Sequence, residues 1–339
     1  MPALKIVLAA SLCIASISSA QDKSSEPTTL ETIYAEASAH SPHVGSGVAK
    51  RFLKSANDLP VIDPPRTIYV NPETREAITA NEYEELDEES RGAFEAKEIN
   101  EKTYYLTRYG TPIAYARALD FVAPYLGDSV DEKMIFDFGH GGFGHLRMLA
   151  SIGAHARGVD ISDVLHTAFT DEFGETPRSH EAAGVGKNGS AEVYLGSFPS
   201  DEKIVEQAGV GYDLFMSKNT LKLGYIHPER EVDPRLTIDL GATDKEFLGA
   251  VHRMLNEGGL FLIYNLYPKP SGPDEPYRPW ADGRCPFTEE ACEEAGFEVV
   301  VYNRDDTAKA HEMARSFGWD ERLTLETDVL GMVTLLRKR

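Results

Sequence analysis

The chain has 339 residues, of which 42% are hydrophobic and 26% charged, values typical of a globular protein. Its formal net charge is −21, and because Lys5 is the only charged residue among the first 20, the chain without them carries −22. So acidic a protein repels phosphate backbones and anionic lipid surfaces. Since no long basic run interrupts this balance, we do not expect nucleic acid as a partner.

Residues 1–20 have the parts of a secretory signal peptide. Lys5 precedes a largely apolar stretch of 12 residues, 6–17, which is too short to span a bilayer. Small residues follow as far as Ala20, so we expect cleavage before Gln21 and an exported protein, in the periplasm, outside the cell or in the secretory-pathway lumen. The alternative is a short uncleaved anchor. Because no other stretch is apolar for 18 residues, no membrane span is expected after cleavage.

Without residues 1–20 the chain has two cysteines, Cys285 and Cys292. They could be free, or bridged in an oxidising compartment. Neither has histidines at metal-ligand spacing, and no metal site is predicted. Residues 21–60 are rich in Ser, Ala, Lys and Pro with little periodicity, which favours a flexible tail or linker. Residues 61–130 are predicted to form a mainly helical N-terminal cap. Within it, two short extended pieces flank Asn71 and Pro72 and suggest a hairpin or turn.

From residue 131 to the C-terminus, short apolar runs alternate with helical patterns. Seven strands are predicted, with intervening helices that include a capping box at Thr243 to Glu246. This alternation predicts an α/β fold, doubly wound around a mostly parallel seven-stranded sheet whose end is antiparallel. The last two runs are the candidates for the antiparallel addition. The predicted strands lie near residues 133–138, 154–162, 191–197, 212–219, 260–265, 297–303 and 329–338.

A glycine-rich loop follows the first of these strands. Gly139, Gly141 and Gly144 form a G-x-G-x-x-G pattern between strand and helix, and Asp160 lies 21 residues beyond Gly139, at the tip of the second strand. Such glycines let the backbone approach a nucleotide, and such an acid can accept hydrogen bonds from its ribose. The alternative is a turn that only packs the helix on the strand. That alternative leaves Asp137 unexplained, because the strand before such a loop is normally apolar.

These motifs, in order, resemble those of the class I S-adenosylmethionine-dependent methyltransferases over residues 105–339. The likeness includes D-x-G-x-G at residues 137–141, "GVDIS" around Asp160, "YDLFMSKN" and the final strand pair. The resemblance implies S-adenosylmethionine as cofactor. It implies that the loop glycines line the methionine part, that Asp160 binds the ribose and that Lys218 and Asn219 face cofactor and substrate. The sequence departs from the family at Gly144, where many members have their third glycine one residue earlier, and at Ser197, where an acid that contacts the adenine is common.

Further residues near the predicted ligand edge are candidates for binding or chemistry. His140 could touch the cofactor, and Arg108, before the first strand, could pair with its carboxylate. Asp137 could contact a cationic ligand or hold the loop through backbone N–H groups. His145 is expected to face solvent. The catalytic candidates follow the fourth strand: Asn219 to orient a substrate, and Tyr225 or His227 near the acceptor, with His227 as the best base by its ordinary pKa.

The long proline-rich segment at residues 267–287 is interpreted as a substrate-side lid. The first functional hypothesis is an exported S-adenosylmethionine-dependent methyltransferase acting on a small or peptidic acceptor. A second is an exported binding protein that keeps the fold without transfer chemistry. A third is an NAD(P)-dependent oxidoreductase, which Asp137 and the closing strands disfavour.

Overall fold

The computed structural model describes residues 27–106, 110–170 and 189–339. The expected signal peptide, its cleavage site and Arg108 lie outside these residues. In the described part no helix is both long and apolar enough to cross a membrane. Cys285 and Cys292 are both buried and unbridged, and burial raises the pKa of both thiols.

Residues 29–58, predicted to belong to a flexible tail, instead form helices that pack against the domain. Helix α1 spans Thr29–His40 and begins with a capping box between Thr28 and Glu31, and helix α2 spans Gly47–Lys54. Their buried residues follow helical spacing: Leu30, Ile33 and Ala37 in α1, and Val48, Ala49, Phe52 and Leu53 in α2.

Two aspartates fix the start of α2 to the rest of the chain. The Asp120 carboxylate accepts hydrogen bonds from the backbone N–H groups of Gly45 and Ser46, at 2.9 and 2.7 Å. The Asp128 carboxylate accepts from the N–H of Gly47, at 2.7 Å. These carboxylates satisfy donors that have no partner within the helix and favour the positive end of its dipole.

The region predicted as a mainly helical cap contains a small antiparallel sheet in addition to helices. Its strands are β1 (Arg66–Val70), β2 (Ala77–Thr79) and β3 (Glu95–Ile99), in the order β2-β1-β3. The pairing of Val70 with Ala77 confirms the hairpin predicted around Asn71. The helices of this region are α3 (Ala80–Glu85), α4 (Glu88–Arg91), α5 (Glu101–Tyr105) and α6 (Tyr115–Leu126).

The main sheet has seven strands in the order β6-β5-β4-β7-β8-β10-β9. Every neighbouring pair is parallel except those made by β10, which runs antiparallel to both β8 and β9. The predicted antiparallel last strand is therefore confirmed. It is inserted between β8 and β9, and β9 is parallel to the other strands of the sheet. The strands are β4 (Met134–Phe138), β5 (His155–Asp160), β6 (Ser190–Leu195), β7 (Tyr212–Lys218), β8 (Leu255–Tyr267), β9 (Phe297–Asp305) and β10 (Leu330–Lys338).

Helices cover both faces of this sheet, which makes the fold doubly wound as predicted. Successive residues such as Ile135 and Phe136 belong to different cores, because side chains alternate across a strand. One core includes α1 and α2, and the other is rich in phenylalanine. The remaining helices are α7 (Gly144–Ser151), α8 (Asp163–Thr170), α9 (Glu202–Ala208), α10 (Leu223–Ile226), α11 (Asp244–Met254), α12 (Glu289–Glu294), α13 (Thr307–Ser316) and α14 (Leu325–Asp328).

The docked N-terminal helices are expected to make stability depend on pH through His40. Burial lowers the pKa of this histidine from 6.5 to about 4, and its Nδ1 lies 2.8 Å from Ser316 Oγ on α13. Below pH 6.5 the unfolded chain binds the proton first, so this contribution to stability is lost as the pH falls from 6.5 through about 4. Between pH 7 and pH 5 the loss is about 2 kcal/mol.

Urea unfolding of the chain and of His40→Gln at both pH values measures this contribution as the difference between their pH dependences. His227→Gln is the control, because His227 is an exposed histidine whose Nε2 is paired with Asp244. An equal pH dependence in the chain and in His40→Gln would contradict the prediction.

Candidate functional site

The glycine loop leaves the carboxyl end of β4 beside the point where the sheet's strand order reverses. Chain connections leave β4 in one direction and β7 in the other, and ligands of open α/β sheets bind at such a switch point. Gly139 and Gly141 have φ angles of 69° and 59°, a region that side chains disfavour. Thr220 Oγ1, just beyond β7, donates to the Gly139 carbonyl at 3.2 Å and fixes the loop against that strand.

Replacing Gly139 with alanine is expected to destabilise the chain by about 2 kcal/mol. A Cβ at this position would lie 2.3 Å from Thr220 Oγ1, in addition to the strain of the positive φ. Gly209→Ala is the matched control, since Gly209 has a φ of 72° with nothing within 4 Å of the added carbon. Urea unfolding of both variants separates the clash from the strain. Equal losses would show that the close approach of Thr220 contributes nothing.

Asp160 lies at the carboxyl end of β5, across the loop from Gly141. One oxygen of its carboxylate accepts the Gly141 N–H at 3.1 Å, and the other accepts the Ser162 N–H at 2.9 Å. The side chain is only partly buried, so each oxygen retains a lone pair for a ligand. The neighbouring Ile161 is 73% exposed, which places a large apolar side chain at the same edge.

Asp137 lies under the loop and is completely buried. Its Oδ2 accepts a hydrogen bond from His145 Nε2 at 2.6 Å, while its Oδ1 has no hydrogen-bond partner in the part of the chain that the structure describes. The carboxylate therefore does not hold the loop through backbone N–H groups, which was one of its two predicted roles. His145 was expected to face solvent and is instead 2% exposed, because the first turn of α7 presents it to the end of β4.

Tyr115 of α6 completes this buried group. Its ring stacks on the His145 ring with centroids 3.7 Å apart, and its hydroxyl donates to the His140 carbonyl at 3.3 Å. Burial and the Asp137 carboxylate raise the pKa of Tyr115 well above 10, and burial lowers that of His145. His145 holds the carboxylate through its hydrogen bond, and the Tyr115 ring holds His145 by stacking on it.

Lys218 is the last residue of β7 and is 7% exposed. Its Nζ lies 5.1 Å from the centre of the Tyr115 ring. Burial lowers the pKa of the amine to about 8. Its place at the end of the fourth strand of the main sheet is the predicted one, and its contact with cofactor and substrate stays a prediction.

The side chain of Asn219 is engaged in a hydrogen bond to the backbone. Its φ is 68°, and its Oδ1 accepts the Leu266 N–H at 2.7 Å, while its own N–H donates to Asn265 Oδ1 and the Tyr264 carbonyl. These bonds tie the turn after β7 to the end of β8. This supporting role is distinct from the substrate contact predicted from the sequence, which stays a prediction.

Tyr225 and His227 lie farther along the same segment. Tyr225 is half-buried in α10, with Lys222 Nζ 5.6 Å from its ring centre. His227 is exposed, and its Nε2 lies 2.9 Å from an oxygen of Asp244 at the start of α11. Because a carboxylate only accepts hydrogen bonds, Nε2 is the nitrogen that carries the proton here, and Nδ1 is the nitrogen that could serve as a base. The catalytic roles of both residues remain predictions.

The remaining predicted cofactor residues surround the loop. His140 is buried, with Nδ1 3.1 Å from the Gly142 carbonyl, and it packs against Gly158 of β5. Gly144 begins α7, where a Cβ would lie 3.1 Å from atoms of Pro112 and Tyr105. Ser197 is exposed just beyond β6, at the same edge as Asp160.

Lys222 is a buried lysine near the site that sequence reasoning missed. It is 4% exposed, and its Nζ donates to the carbonyls of Leu266 and Trp280, at 2.7 and 3.2 Å. Asn265 Nδ2 adds a second link, donating to Leu221 and Gly283 at 2.7 and 3.0 Å. The segment predicted as a lid is thus pinned to the sheet near residues 280–284 and forms a wall of the site. A lysine between apolar residues, in the sequence LKL, was the available signal.

Among the described residues, no group of three or more histidine, cysteine or carboxylate side chains is placed to hold a metal. No protein-family model matches the chain, and no curated protein matches it. Similar solved structures exist at low identity. An S-adenosylmethionine-dependent methyltransferase from Mesorhizobium loti has a TM-score of 0.38 and 17% identity, over 66% of this chain and 98% of that one.

Two further solved structures, from other organisms, are also similar to this chain. A cyclopropane synthase from Mycobacterium tuberculosis has a TM-score of 0.38 and 14% identity, over 69% of this chain and 88% of that one. Phosphoethanolamine N-methyltransferase 2 of Haemonchus contortus, in complex with S-adenosylhomocysteine, has a TM-score of 0.39 and 12% identity, over 67% of this chain and 54% of that one. With every one of these TM-scores below 0.5, the similarities do not bear on which chemistry the site performs.

Proposed function

We propose that this protein binds S-adenosylmethionine at the carboxyl edge of β4, β5 and β7 and transfers its methyl group to an acceptor. The observation that carries the proposal is the Asp160 carboxylate. It is oriented by two backbone N–H groups, Gly141 and Ser162, and keeps unpaired acceptor capacity toward the edge. A ribose offers two adjacent hydroxyl donors, which match a carboxylate with two available oxygens.

Ile161 supports a nucleoside rather than a simple sugar. A side chain this large and apolar is 73% exposed beside Asp160, and covering it with the flat face of a base removes apolar surface from water. Ser197, exposed at the end of the adjacent strand β6, can hydrogen-bond the edge of that base. The glycines permit the close approach of the rest of the ligand.

Two features favour S-adenosylmethionine over a nicotinamide dinucleotide. The dinucleotide-binding fold has strand order 3-2-1-4-5-6, whereas here an antiparallel strand, β10, is inserted before the last position. Asp137 also places a carboxylate at the end of β4 where dinucleotide-binding strands are apolar. When bound, the cofactor supplies an electrophilic methyl group, and the chain's own task is to position the acceptor and exclude water.

The transfer activity is tested by incubating the purified chain with S-adenosylmethionine labelled in its methyl group. A low-mass fraction and a peptide fraction are supplied in separate reactions as sources of the acceptor. The Asp160→Ala variant, treated in the same way, is the control. Label that enters one fraction only with the unaltered chain supports an enzyme and identifies the acceptor class. Tight binding of the cofactor with no transfer to either fraction favours the second hypothesis, a non-catalytic binding protein.

Export is part of the proposal and rests on residues 1–20. An exported enzyme has to receive S-adenosylmethionine made in the cytosol, so the compartment is a separate question from the chemistry. N-terminal sequencing of the protein from its native source is expected to begin at Gln21. A sequence that begins at Met1 or Pro2 would contradict export by a cleaved signal.

A further inference from the structure

His40, the last residue of α1, is buried against α13 and is 2% exposed. Its ring meets the Phe317 ring edge-on, with centroids 5.1 Å apart. Its Nδ1 lies 2.8 Å from Ser316 Oγ. Its Nε2 is buried and has no hydrogen-bond partner within the described ranges of the chain. The two nitrogens of one ring therefore have very different surroundings.

The hydrogen bonds of Ser316 place the proton of His40 on Nδ1. The Ser316 hydroxyl has one hydrogen and donates it to the Met313 carbonyl at 2.7 Å, so its oxygen accepts from Nδ1. The opposite tautomer would leave two oxygens 2.7 Å apart with no hydrogen between them, and a buried N–H with no acceptor. Nε2 is thus an unprotonated acceptor in the docked helix. A second proton on it would create a buried charged donor without a partner, which is costly.

The charged and titratable groups around His40 do not supply that missing acceptor. They are His43 in the turn after α1, Arg117 and Asp120 on α6, and Glu312 on α13. Asp120 is engaged by backbone N–H groups and by Arg117, and Glu312 is engaged by a lysine of α13. Burial outweighs the attraction of the two carboxylates and lowers the pKa of His40 to about 4.

The N-terminal segment also covers the elements that carry the glycine loop. Just after α2, Ser55 Oγ donates to the Met148 carbonyl of α7 at 3.1 Å, and α7 begins at the third glycine of the loop. The Pro60 carbonyl accepts the Tyr105 hydroxyl at 2.5 Å. The Tyr105 ring lies so close to Gly144 that a Cβ there would be 3.1 Å from it. The segment therefore supports the start of α7 from behind the site.

We propose that a proton on His40 releases α1 and α2 from α6, α7 and α13, and that this release loosens the glycine-loop site. The docked helix has no acceptor for a proton on Nε2, whereas water supplies one once the helix is released. The site is then intact near neutral pH and opens in acid, through a residue that does not belong to the loop. The release affects the loop whichever ligand binds there.

Hydrogen–deuterium exchange of the full chain, measured by mass spectrometry at pH 7 and pH 5 and corrected for intrinsic rates, tests the release. His40 has a pKa of 6.5 when released and about 4 when docked, so the protection of α1 and α2 should fall about 20-fold. Protection of α7 should fall with it, whereas α11, in the other core, should stay protected. Equal protection of α1 and α11 at pH 7 would mean that the helices open only with the whole domain, and would overturn the proposal.

His40→Gln separates His40 from the other groups that titrate. Its amide can still donate to Ser316 Oγ but takes up no proton, so α1 and α2 should lose less than about threefold in protection at pH 5. His227→Gln, at an exposed histidine, should keep the loss of about 20-fold. The full loss in His40→Gln, or constant protection of α7 while α1 and α2 are released, would overturn the proposal.

A titration of the unaltered chain decides the question should His40→Gln dock poorly at pH 7. Protection of α1 that begins to fall near pH 6.5 and continues toward pH 5 supports the release, because the released histidine takes up its proton in this range. Protection of α1 that is the same from pH 7 to pH 5 overturns it.

Discussion

Asp160→Ala is expected to weaken the binding of S-adenosylhomocysteine at least 100-fold. Two charge-assisted hydrogen bonds to the ribose are lost, each worth about 1.5–3 kcal/mol. The loop is affected as well, because the Gly141 N–H loses the carboxylate that orients it. Calorimetric titration of the unaltered and variant chains measures the change directly.

The matched control for this prediction is Asp213→Ala, at the opposite edge of the sheet. The Asp213 carboxylate also accepts a backbone N–H, that of Met134, at 3.0 Å, but it lies at the amino end of β4. It should therefore lower stability without changing affinity. Retention of affinity within threefold in Asp160→Ala would remove the ribose assignment, and equal losses in both variants would indicate a general effect on folding.

His145→Leu is expected to destabilise the chain by about 3–5 kcal/mol. The substitution leaves the Asp137 carboxylate completely buried without the hydrogen bond at 2.6 Å that satisfies its Oδ2, and an uncompensated buried charge carries a cost of this size. The stacking partner of Tyr115 is lost in the same change. Urea unfolding at pH 7 measures the effect.

A double variant shows whether the loss arises from the buried charge. In Asp137→Leu/His145→Leu both polar partners are replaced, and most of the lost stability should return because no buried carboxylate is left without its hydrogen bond. His155→Leu is the matched control, since His155 is a partly exposed histidine of β5 and should cost less than about 1 kcal/mol. A loss below 1 kcal/mol in His145→Leu would mean that Asp137 does not depend on His145.

The main sheet was predictable because its signals are local. Each parallel strand, such as β4 or β7, is a short apolar run bounded by glycine or polar residues, and the run is apolar because both faces are covered. Helices α1 and α2 were missed because they are short, 12 and 8 residues, and each has few large apolar residues to mark its buried face. The carboxylates of Asp120 and Asp128, which fix the start of α2, lie more than 70 residues away in sequence.

The residues of the site also fall into two groups, those that local sequence predicts and those that it does not. The loop glycines and Asp160 follow from local spacing, since a turn after a strand and an acid at the tip of the next strand meet at one edge. The pairing of His145 with Asp137 could not be predicted, because it depends on how α7 rotates against β4. The surroundings of Lys218 and Lys222 could not be predicted either: both lysines are buried, but only Lys222 donates to backbone carbonyls that come from distant parts of the chain.

The most direct test of the central claim is a calorimetric titration of the chain from Gln21 onward with S-adenosylmethionine, S-adenosylhomocysteine and NAD. A site built on Asp160, Ile161 and the glycine loop predicts saturable binding of the two adenosyl ligands at one site per chain and none of NAD. Binding heat with NAD alone, or with none of the three ligands, would contradict it.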